Sequence, residues 1–363
     1  MDKALIAMSG GVDSSVAAAL MLRAGYDCIG VTMKLHEESG TYPEKSCCTA
    51  SDAEDARGVC ARLGMKYYVF NFTEDFEKQV IRRFTETYEK GLTPNPCIDC
   101  NRYLKFDRLY RRAEELGCDF IVTGHYARIE FDEKLGRYLL KKSLNSAKDQ
   151  TYVLYSLTQE QLARTKFPLG DFVSKEEIRE LARGLDLINA EKRDSQDICF
   201  VPDGDYAGFI RRYSGKEYPR GSFVDKSGNV LGEHKGIIHY TIGQRKGLGL
   251  SFPVPMYVCG KNVGDNTVTL APESELYSRT LIADDFNWIS REPPEEPIRV
   301  WGKTRYSAKE APAYAEVTPD GVKITFDEPQ RAVTAGQAAV LYDGDTVVGG
   351  GTIIKTENGG TTW

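Results

Sequence analysis

Short apolar runs alternate with amphipathic stretches through the first third of the chain. The run Ala4–Met8 predicts a strand, and Ser14–Ala24, ended by Gly25, predicts a helix. Further elements are predicted in the same alternation: strands near 27–33, 66–71 and 118–124, and helices over 51–63, 73–90 and 102–116. This alternation is typical of a doubly wound parallel sheet. We therefore predict an α/β fold that binds its ligands beyond the carboxyl ends of the strands.

Two local patterns refine these boundaries. The capping-box pattern Ser51-x-x-Glu54 predicts that the second helix begins at Ser51. The proline-rich stretch Leu92–Asn101 predicts a loop that carries Cys97 and Cys100, with the next helix capped by Asn101.

The pattern changes after Ala147. A helix capped by Ser174-x-x-Glu177 is followed by short strands that glycines interrupt. Strands of this kind predict a small middle domain and then a β-barrel. We expect three domains, over 1–203, 204–279 and 280–363.

Composition narrows the class of protein. The chain has 363 residues, 41% of them hydrophobic and 28% charged, with a net charge of −6. Its apolar runs are too short for a membrane span, and the first residues lead directly into a strand, so we expect a cytoplasmic protein without a membrane partner. In that reducing compartment the nine cysteines are not expected to form a disulfide scaffold. The net charge argues only mildly against nucleic acid, because a sum hides local basic patches.

The first strand leads into the stretch Ser9–Ser15, with the sequence SGGVDSS. Two glycines allow consecutive N–H groups to face an anion, and the helix that follows favours phosphate at its amino end. The stretch lacks the lysine of a P-loop. Its spelling resembles the pyrophosphate loop of ATP pyrophosphatases, and we favour this interpretation over an ordinary strand–helix turn. Asp13 either positions Mg²⁺ or phosphate, or caps the helix.

Three cysteines are candidates for chemistry: Cys97, Cys100 and Cys199. They are buried thiols, ligands of zinc or an iron–sulfur cluster, or partners in thiol exchange. Cys97-x-x-Cys100 has ligand spacing, and Cys199 follows the polar run 193–197. The vicinal pair Cys47–Cys48 is better explained by packing or loop placement.

These motifs together resemble the tRNA-specific 2-thiouridylases, which replace the 2-oxygen of the wobble uridine by sulfur. Besides Ser9–Ser15, the ordered agreement includes the following stretches: Cys48-Thr49-Ala50, Pro94-Asn95-Pro96, Cys100-Asn101, 123–126, 148–152, 195–200, 240–248 and Arg305-Tyr306.

The resemblance implies a two-step reaction. ATP transfers AMP to the carbonyl oxygen of the base, pyrophosphate leaves into the loop, and sulfur then displaces AMP. A persulfide on Cys199 supplies sulfur, Cys100 acts as nucleophile or reduces the persulfide, and a Cys100–Cys199 disulfide remains. The implied ATP-binding residues, with Met33 and Gly124 flanking adenine and ribose, are Ala7, Met8, Ser9, Gly10, Gly11, Val12, Asp13, Ser14, Met33 and Gly124.

The resemblance also implies a tRNA partner with a wobble uridine, and a cysteine desulfurase or sulfur-relay protein as donor. The implied tRNA-binding residues are Asn95, Pro96, Cys97, His125, Lys148, Asp149, Gln150, Arg305, Tyr306 and Gln337. Many family members carry aspartate where this chain has Cys97. A [4Fe–4S] cluster on Cys97, Cys100 and Cys199 is therefore an alternative carrier of sulfur. The other expected cofactors are ATP and Mg²⁺.

Two further classes compete with thiolation. Another ATP-pyrophosphatase-type synthetase would act on a small substrate and would not need the cysteine pair. A non-catalytic, ATP-regulated RNA-binding protein would bind tRNA without releasing pyrophosphate.

Overall fold

The computed structural model describes residues 1–36, 50–192 and 198–356. The predictions for Cys47, Cys48, Thr49 and 193–197 lie outside these residues. The chain divides into two compact units. The sheet unit comprises Met1–Ile81, Pro96–Gly204 and Gly344–Val347, and the barrel unit comprises Arg82–Asn95, Asp205–Asp343 and the residues from Val348 onward.

A parallel sheet forms the centre of the sheet unit. In the described residues its strands are β1 (Lys3–Ala7), β2 (Asp27–Lys34), β3 (Lys66–Asn71), β4 (Phe120–Val122) and β7 (Thr165–Lys166). Their order is β3-β2-β1-β4-β7, so the direction of winding reverses between β1 and β4. This confirms the predicted doubly wound α/β fold. Between β4 and β7 in the sequence, β5 (Ala127–Asp132) and β6 (Arg137–Lys142) form an antiparallel hairpin.

Helices α1 (Val12–Arg23), α2 (Ala50–Arg62) and α8 (Lys175–Gly184) accompany the sheet. The small buried residues of α1 allow it to pack closely with β1 and α8. Ser174 caps α8 as predicted, since its hydroxyl accepts from the N–H of Glu177 at 3.3 Å. Ser51 is not the first residue of its helix, because α2 already includes Ala50.

The predicted loop Leu92–Asn101 is wrong from Pro96 onward, where both cysteines lie. A helix begins at Pro96 and continues from α5 (Pro96–Asp99) into a π-helical segment, Cys100–Arg108, and α6 (Leu109–Glu115). Proline at the first helical position needs no hydrogen-bond partner for its nitrogen, so Pro96 starts the helix rather than preventing it. Asn101 is not a cap; its amide donates to the carbonyl of Val153 at 2.9 Å.

Two further helical stretches lie between these elements along the chain. The helix predicted from Thr73 runs through α3 (Thr73–Phe76), a π-helical turn at Glu77–Ile81, and α4 (Arg82–Glu89). Between β6 and α8 lies the short helix α7 (Gln159–Ala163), which a Thr158–Gln161 capping box begins.

The barrel unit contains α9 (Tyr206–Ser214) and two sets of strands. The first set is β8 (Gly221–Val224), β9 (Val230–His234), β10 (Met256–Asn262) and β11 (Thr267–Pro272), in the order β10-β11-β8-β9. The second set is β12 (Tyr277–Trp288), β13 (Ile298–Lys303), β14 (Ala311–Thr318), β15 (Gly321–Arg331), β16 (Ala338–Asp343) and β17 (Thr346–Thr356). Pairing of β12 with β17 closes the second set into a barrel, as predicted.

A search of the described helices found none with the length and apolar character that crossing a bilayer requires.

Candidate nucleotide and thiol site

The stretch Ser9–Ser15 leaves β1 at the point where the sheet reverses its winding. Met8 is fixed there, because its N–H donates to Val31 at 2.8 Å and its carbonyl accepts from the Thr32 hydroxyl at 2.8 Å. In doubly wound sheets this crevice, beyond the carboxyl ends of the strands, is the usual ligand site. The end of β1 therefore holds the loop where the sequence predicts a phosphate site.

Serine hydroxyls brace the loop from inside. The hydroxyls of Ser14 and Ser15 donate to the carbonyl of Gly11 at 3.0 and 3.1 Å. Ser14 also accepts from the N–H of Ser9 at 3.2 Å. Gly11 is the N-cap of α1 and has no side chain to cap the helix, so the first N–H groups of α1 receive no side-chain cap. This leaves donors suited to an anion at the start of α1.

Two glycines permit the close packing around the loop. Gly10 has φ +74°, and a Cβ there would collide with the backbone of Asp52 in α2. Gly124 follows β4, and a Cβ on it would lie 2.9 Å from the nitrogen of Ser14. The absence of a side chain at Gly124 therefore lets the segment after β4 lie against the loop.

Asp13 forms a charged cluster that the sequence did not reveal. Its Oδ1 accepts from the hydroxyl of Tyr126 at 2.7 Å and lies 2.6 Å from the ammonium of Lys175, the first residue of α8. The ammonium also lies 5.7 Å from the centre of the Tyr126 ring. Gln150 fixes Tyr126, because its side-chain oxygen accepts from the Tyr126 N–H at 2.9 Å. The cluster places a cation, Lys175, beside the loop.

A turn at residues 189–192 also holds the loop through hydrogen bonds. The buried amide of Asn189 donates to the carbonyl of Gly10 at 3.0 Å and to the Ser15 hydroxyl at 2.9 Å. Three residues later, the ammonium of Lys192 lies 2.6 Å from both Asp52 and Asp55 of α2. Burial opposes the charged form, but the two carboxylates outweigh it and raise the pKa of Lys192 above its ordinary value. The turn thus ties the loop and α2 together.

Of the other implied nucleotide-binding residues, Ala7 ends β1 and Val12 begins α1, where it is buried. Met33 lies near the carboxyl end of β2 and is 8% exposed. The structure therefore brings β1, the loop and the end of β2 to one edge of the sheet, as predicted.

Cys100 and Cys199 lie on segments that pack on the same short helix. Cys100 begins the π-helical segment that contacts α3. Phe200, next to Cys199, lies edge-on to Phe76 of α3, with 5.8 Å between the ring centres. A backbone hydrogen bond of 2.9 Å between Val201 and Ile198 holds Cys199 in a turn. Both cysteines are thiols of intermediate exposure, and Cys97 is an exposed thiol.

His125 is buried rather than presented to solvent. Its ring packs near Phe106 and Phe167, and its Nδ1 lies 2.7 Å from the Thr123 hydroxyl. Burial, followed by the charge of Lys105, holds the pKa of His125 well below its ordinary value, so the ring is neutral near pH 7. These contacts stabilise the segment after β4.

The predicted RNA-contacting stretch Lys148–Gln150 is part of the internal framework of the sheet unit. Asp149 accepts from the N–H of Ser143 at 3.1 Å and from the Thr151 hydroxyl at 2.6 Å. Lys148 forms a turn through its N–H with Asn145. The stretch therefore holds the segment that carries Tyr126, whatever further contacts it makes with a ligand.

In the barrel unit, the implied tRNA-binding residues lie on two segments. Gln337 donates to the carbonyl of Thr93 at 2.9 Å, and so fixes the residues immediately before Asn95. Arg305 donates to the carbonyl of Ala332. Tyr306 is 45% exposed, with the Lys303 ammonium 5.5 Å from its ring centre. An exposed ring beside a cation is suited to stacking on a nucleic-acid base.

The cysteines do not fit a cluster site. Among the described residues, which include Cys97, Cys100 and Cys199, no three histidine, cysteine, aspartate or glutamate side chains are grouped so as to hold a metal ion. Cys97 and Cys100 lie on one helix, whereas Cys199 lies on a separate turn.

Comparisons with known proteins cover almost the whole chain. Residues 2–203 match the family model "tRNA methyl transferase HUP domain", 207–272 match "tRNA methyl transferase PRC-barrel domain", and 278–353 match "Aminomethyltransferase beta-barrel domain". A tRNA-specific 2-thiouridylase MnmA from Clostridioides difficile is 53% identical over 98% of both chains. Its counterpart from Acetivibrio thermocellus is 53% identical over 97% of this chain and 99% of its own length. The counterpart from Clostridium acetobutylicum is 51% identical, also over 97% of this chain and 99% of its own length.

Proposed function

Because this chain belongs to the tRNA-specific 2-thiouridylase family, we propose that it replaces the 2-oxygen of the wobble uridine of tRNA by sulfur, at the expense of ATP. The observation that carries the proposal is the placement of its parts. A glycine–serine loop with an adjacent lysine lies at the switch point of the sheet, and the two candidate thiols lie on segments that share α3. The full-length match adds the expected substrate class.

In the first step, ATP is the substrate that activates the base. The N–H groups at the start of α1 and the ammonium of Lys175 bind and orient its phosphates, while Met33 and Gly124 flank the adenosine. Attack of the uridine 2-oxygen on the α-phosphorus forms the adenylated base and releases pyrophosphate. Mg²⁺ enters with the phosphates of ATP, because the one carboxylate of the loop, Asp13, is already bonded to Lys175 and Tyr126.

In the second step, a persulfide on Cys199 supplies sulfur. Its terminal sulfur attacks the activated carbon and AMP leaves. The Cys100 thiolate then attacks the Cys199 sulfur, which breaks the S–S bond, releases the thiolated base and leaves a Cys100–Cys199 disulfide. A reductant restores both thiols. A cysteine desulfurase or a sulfur-relay protein reloads Cys199.

The remaining assignments complete the proposal. The residues proposed to contact tRNA are Asn95, Pro96, Cys97, His125, Lys148, Asp149, Gln150, Arg305, Tyr306 and Gln337. We keep the division into domains at 1–203, 204–279 and 280–363, and the cytoplasm as compartment.

The direct test is mass spectrometry of the nucleosides of tRNA incubated with the protein, ATP, Mg²⁺ and a persulfide-generating donor. We expect 2-thiouridine at the wobble position, with none when ATP is omitted or when Cys199→Ala replaces the wild type. Unmodified tRNA, with AMP transferred to a small acceptor and pyrophosphate released, would refute the proposal in favour of a synthetase. Tight tRNA binding without pyrophosphate release would refute it in favour of a binding protein.

A further inference from the structure

Lys261 is a charged residue in the interior of the barrel unit. It lies on β10 and is 8% exposed, and among the described residues it is the one lysine, arginine, aspartate or glutamate that is buried to this extent. The chemistry proposed above does not use it.

The ammonium of Lys261 lacks a negative partner in the described part of the chain. It donates to the carbonyl of Tyr240 at 2.9 Å and lies 5.9 Å from the centre of the Tyr88 ring. No described carboxylate lies within 4.0 Å of it. Burial alone lowers the pKa of Lys261 to about 7. A buried ammonium without a counter-charge is costly, so this position favours an anion.

A cavity of about 100 Å³ lies beside Lys261. The lining includes Ser278, which is 5% exposed and whose hydroxyl makes no hydrogen bond to the described residues. Glu275 also lines the cavity, but its carboxylate is 2.5 Å from the ammonium of Lys226. The cavity therefore offers the Ser278 hydroxyl, which has no acceptor among the described residues, and an ammonium that is bonded only to a neutral carbonyl there. Its single carboxylate is already paired.

From this arrangement we propose that the cavity binds one small inorganic anion, held by the ammonium of Lys261 and the hydroxyl of Ser278. The volume exceeds the ~30 Å³ that one water occupies in the liquid and suits an ion with a few oxygen atoms. A cation is disfavoured by Lys261, and an apolar ligand would leave the Ser278 hydroxyl unsatisfied and the ammonium without a counter-charge. The bound ion keeps Lys261 charged and bonded to Tyr240, which begins the stretch Tyr240–Leu248.

The test is calorimetric titration of the full-length protein with inorganic phosphate at constant ionic strength. The nucleotide loop is a second candidate for phosphate, so Ser14→Ala is titrated in parallel with Lys261→Met. We expect Lys261→Met to lose one binding event that Ser14→Ala retains. Lys323 of β15, whose side chain is 45% exposed, gives a matched control, Lys323→Met, which retains the event.

Ser278→Ala keeps the buried charge and tests the site if Lys261→Met does not fold. We expect roughly tenfold weaker phosphate binding from the loss of one hydrogen bond to a charged ligand. Equal binding by the wild type and Lys261→Met, unchanged affinity in Ser278→Ala, or loss of all binding in Ser14→Ala would each overturn the proposal. None of these results bears on thiolation, which the nucleoside analysis decides separately.

Discussion

The ammonium of Lys175 lies 2.6 Å from Oδ1 of Asp13, although 162 positions separate the two residues in the sequence. Asp13 belongs to the first turn of α1 and Lys175 begins α8, so the pair joins the amino ends of two helices that pack together. Both helix dipoles are positive at that end. The pair therefore places a side-chain cation where two dipoles already favour phosphate.

We predict that Lys175→Met lowers kcat/KM for tRNA-dependent pyrophosphate release by roughly 100-fold, the effect typical of losing one donor to developing negative charge. The change removes the ammonium while the Tyr126 hydroxyl still bonds Asp13. The measurement is pyrophosphate release at varied ATP. Arg183→Met on the same helix is the control, because Arg183 is 45% exposed and pairs only with Glu176 and Glu191 among the residues described. Equal losses in both variants would show that α8 is merely damaged.

Tyr126→Phe distinguishes the effect of orienting Asp13 from the effect of the Lys175 charge. It removes the 2.7 Å hydrogen bond to Asp13 and leaves the ring in its buried place. We expect a loss of about 1 kcal/mol in the free energy of unfolding and a rise in KM for ATP. The double variant with Lys175→Met should be less impaired than the sum of the single effects, because both act on one carboxylate. Strict additivity in the double-mutant cycle would contradict this coupling.

Asn189→Ala tests whether the 189–192 turn positions the loop. The variant removes both hydrogen bonds to the loop and leaves the Gly10 carbonyl without its amide donor. We expect a loss of about 1–3 kcal/mol in stability, together with a higher KM for ATP and unchanged KM for tRNA. Asn189→Asp should be worse than alanine, because it sets a negative charge against a carbonyl and beside the phosphate site. A change in stability alone would assign Asn189 to the fold and not to the loop.

The sequence predicted the elements that carry the loop because their signals are local. Glycines, serines and the preceding apolar run define Ser9–Ser15 within one stretch, and the order of strands and helices identifies the sheet type. Lys175, Asn189 and Lys192 were not found, since each reaches the loop or α2 only through tertiary folding. The capping pattern of Ser174, just before Lys175, placed the start of α8 correctly but could not show what lies opposite it.

The prediction for the cysteine segment was wrong for a physical reason. The proline-rich stretch was interpreted as a loop, but a proline at the first helical position fits helix geometry. Cys97 and Cys100 are thus three residues apart on a helix and share one face, which the loop interpretation did not predict. His125 stays a predicted RNA contact, and its packing near Phe106 and Phe167 depends on tertiary folding, which its place after a strand does not reveal.

Substitutions of Cys199 and Cys100 should stop the reaction at different steps. Cys199→Ala is expected to abolish sulfur transfer while retaining part of the tRNA adenylation, because the loop and Lys175 are unchanged. Cys100→Ser should stop turnover after sulfur has displaced AMP, with the tRNA still joined to Cys199 through the S–S bond. The measurement pairs pyrophosphate release with 2-thiouridine yield. Loss of adenylation in a folded Cys199→Ala protein would contradict this order.

Cys97→Ala distinguishes the persulfide from an iron–sulfur carrier. If the persulfide on Cys199 carries sulfur, the anaerobically purified variant keeps most of its turnover and contains no iron. Iron in the wild type that disappears together with activity in Cys97→Ala would establish the cluster route instead.

The stability of the barrel unit should depend on pH through Lys261. Burial lowers the folded-state pKa of Lys261 to about 7, from 10.5. Between these values the unfolded chain binds one more proton than the folded chain, so stability rises with pH, by about 1.4 kcal/mol per unit. The test range is pH 7 to 9, below the region where buried Cys28, whose pKa is raised to about 11, contributes with the opposite sign.

Unfolding by urea in phosphate-free buffer measures this dependence as the difference between the wild type and Lys261→Met. Subtraction removes the titration of all groups that both proteins share, so the difference isolates Lys261. Adding phosphate should flatten the pH dependence of stability in the wild type, because an anion in the cavity keeps the ammonium charged in the folded state. The pH dependence of the Lys261→Met variant should not change. Parallel pH profiles for the two proteins would mean that Lys261 is charged and solvated, and that burial does not govern its titration.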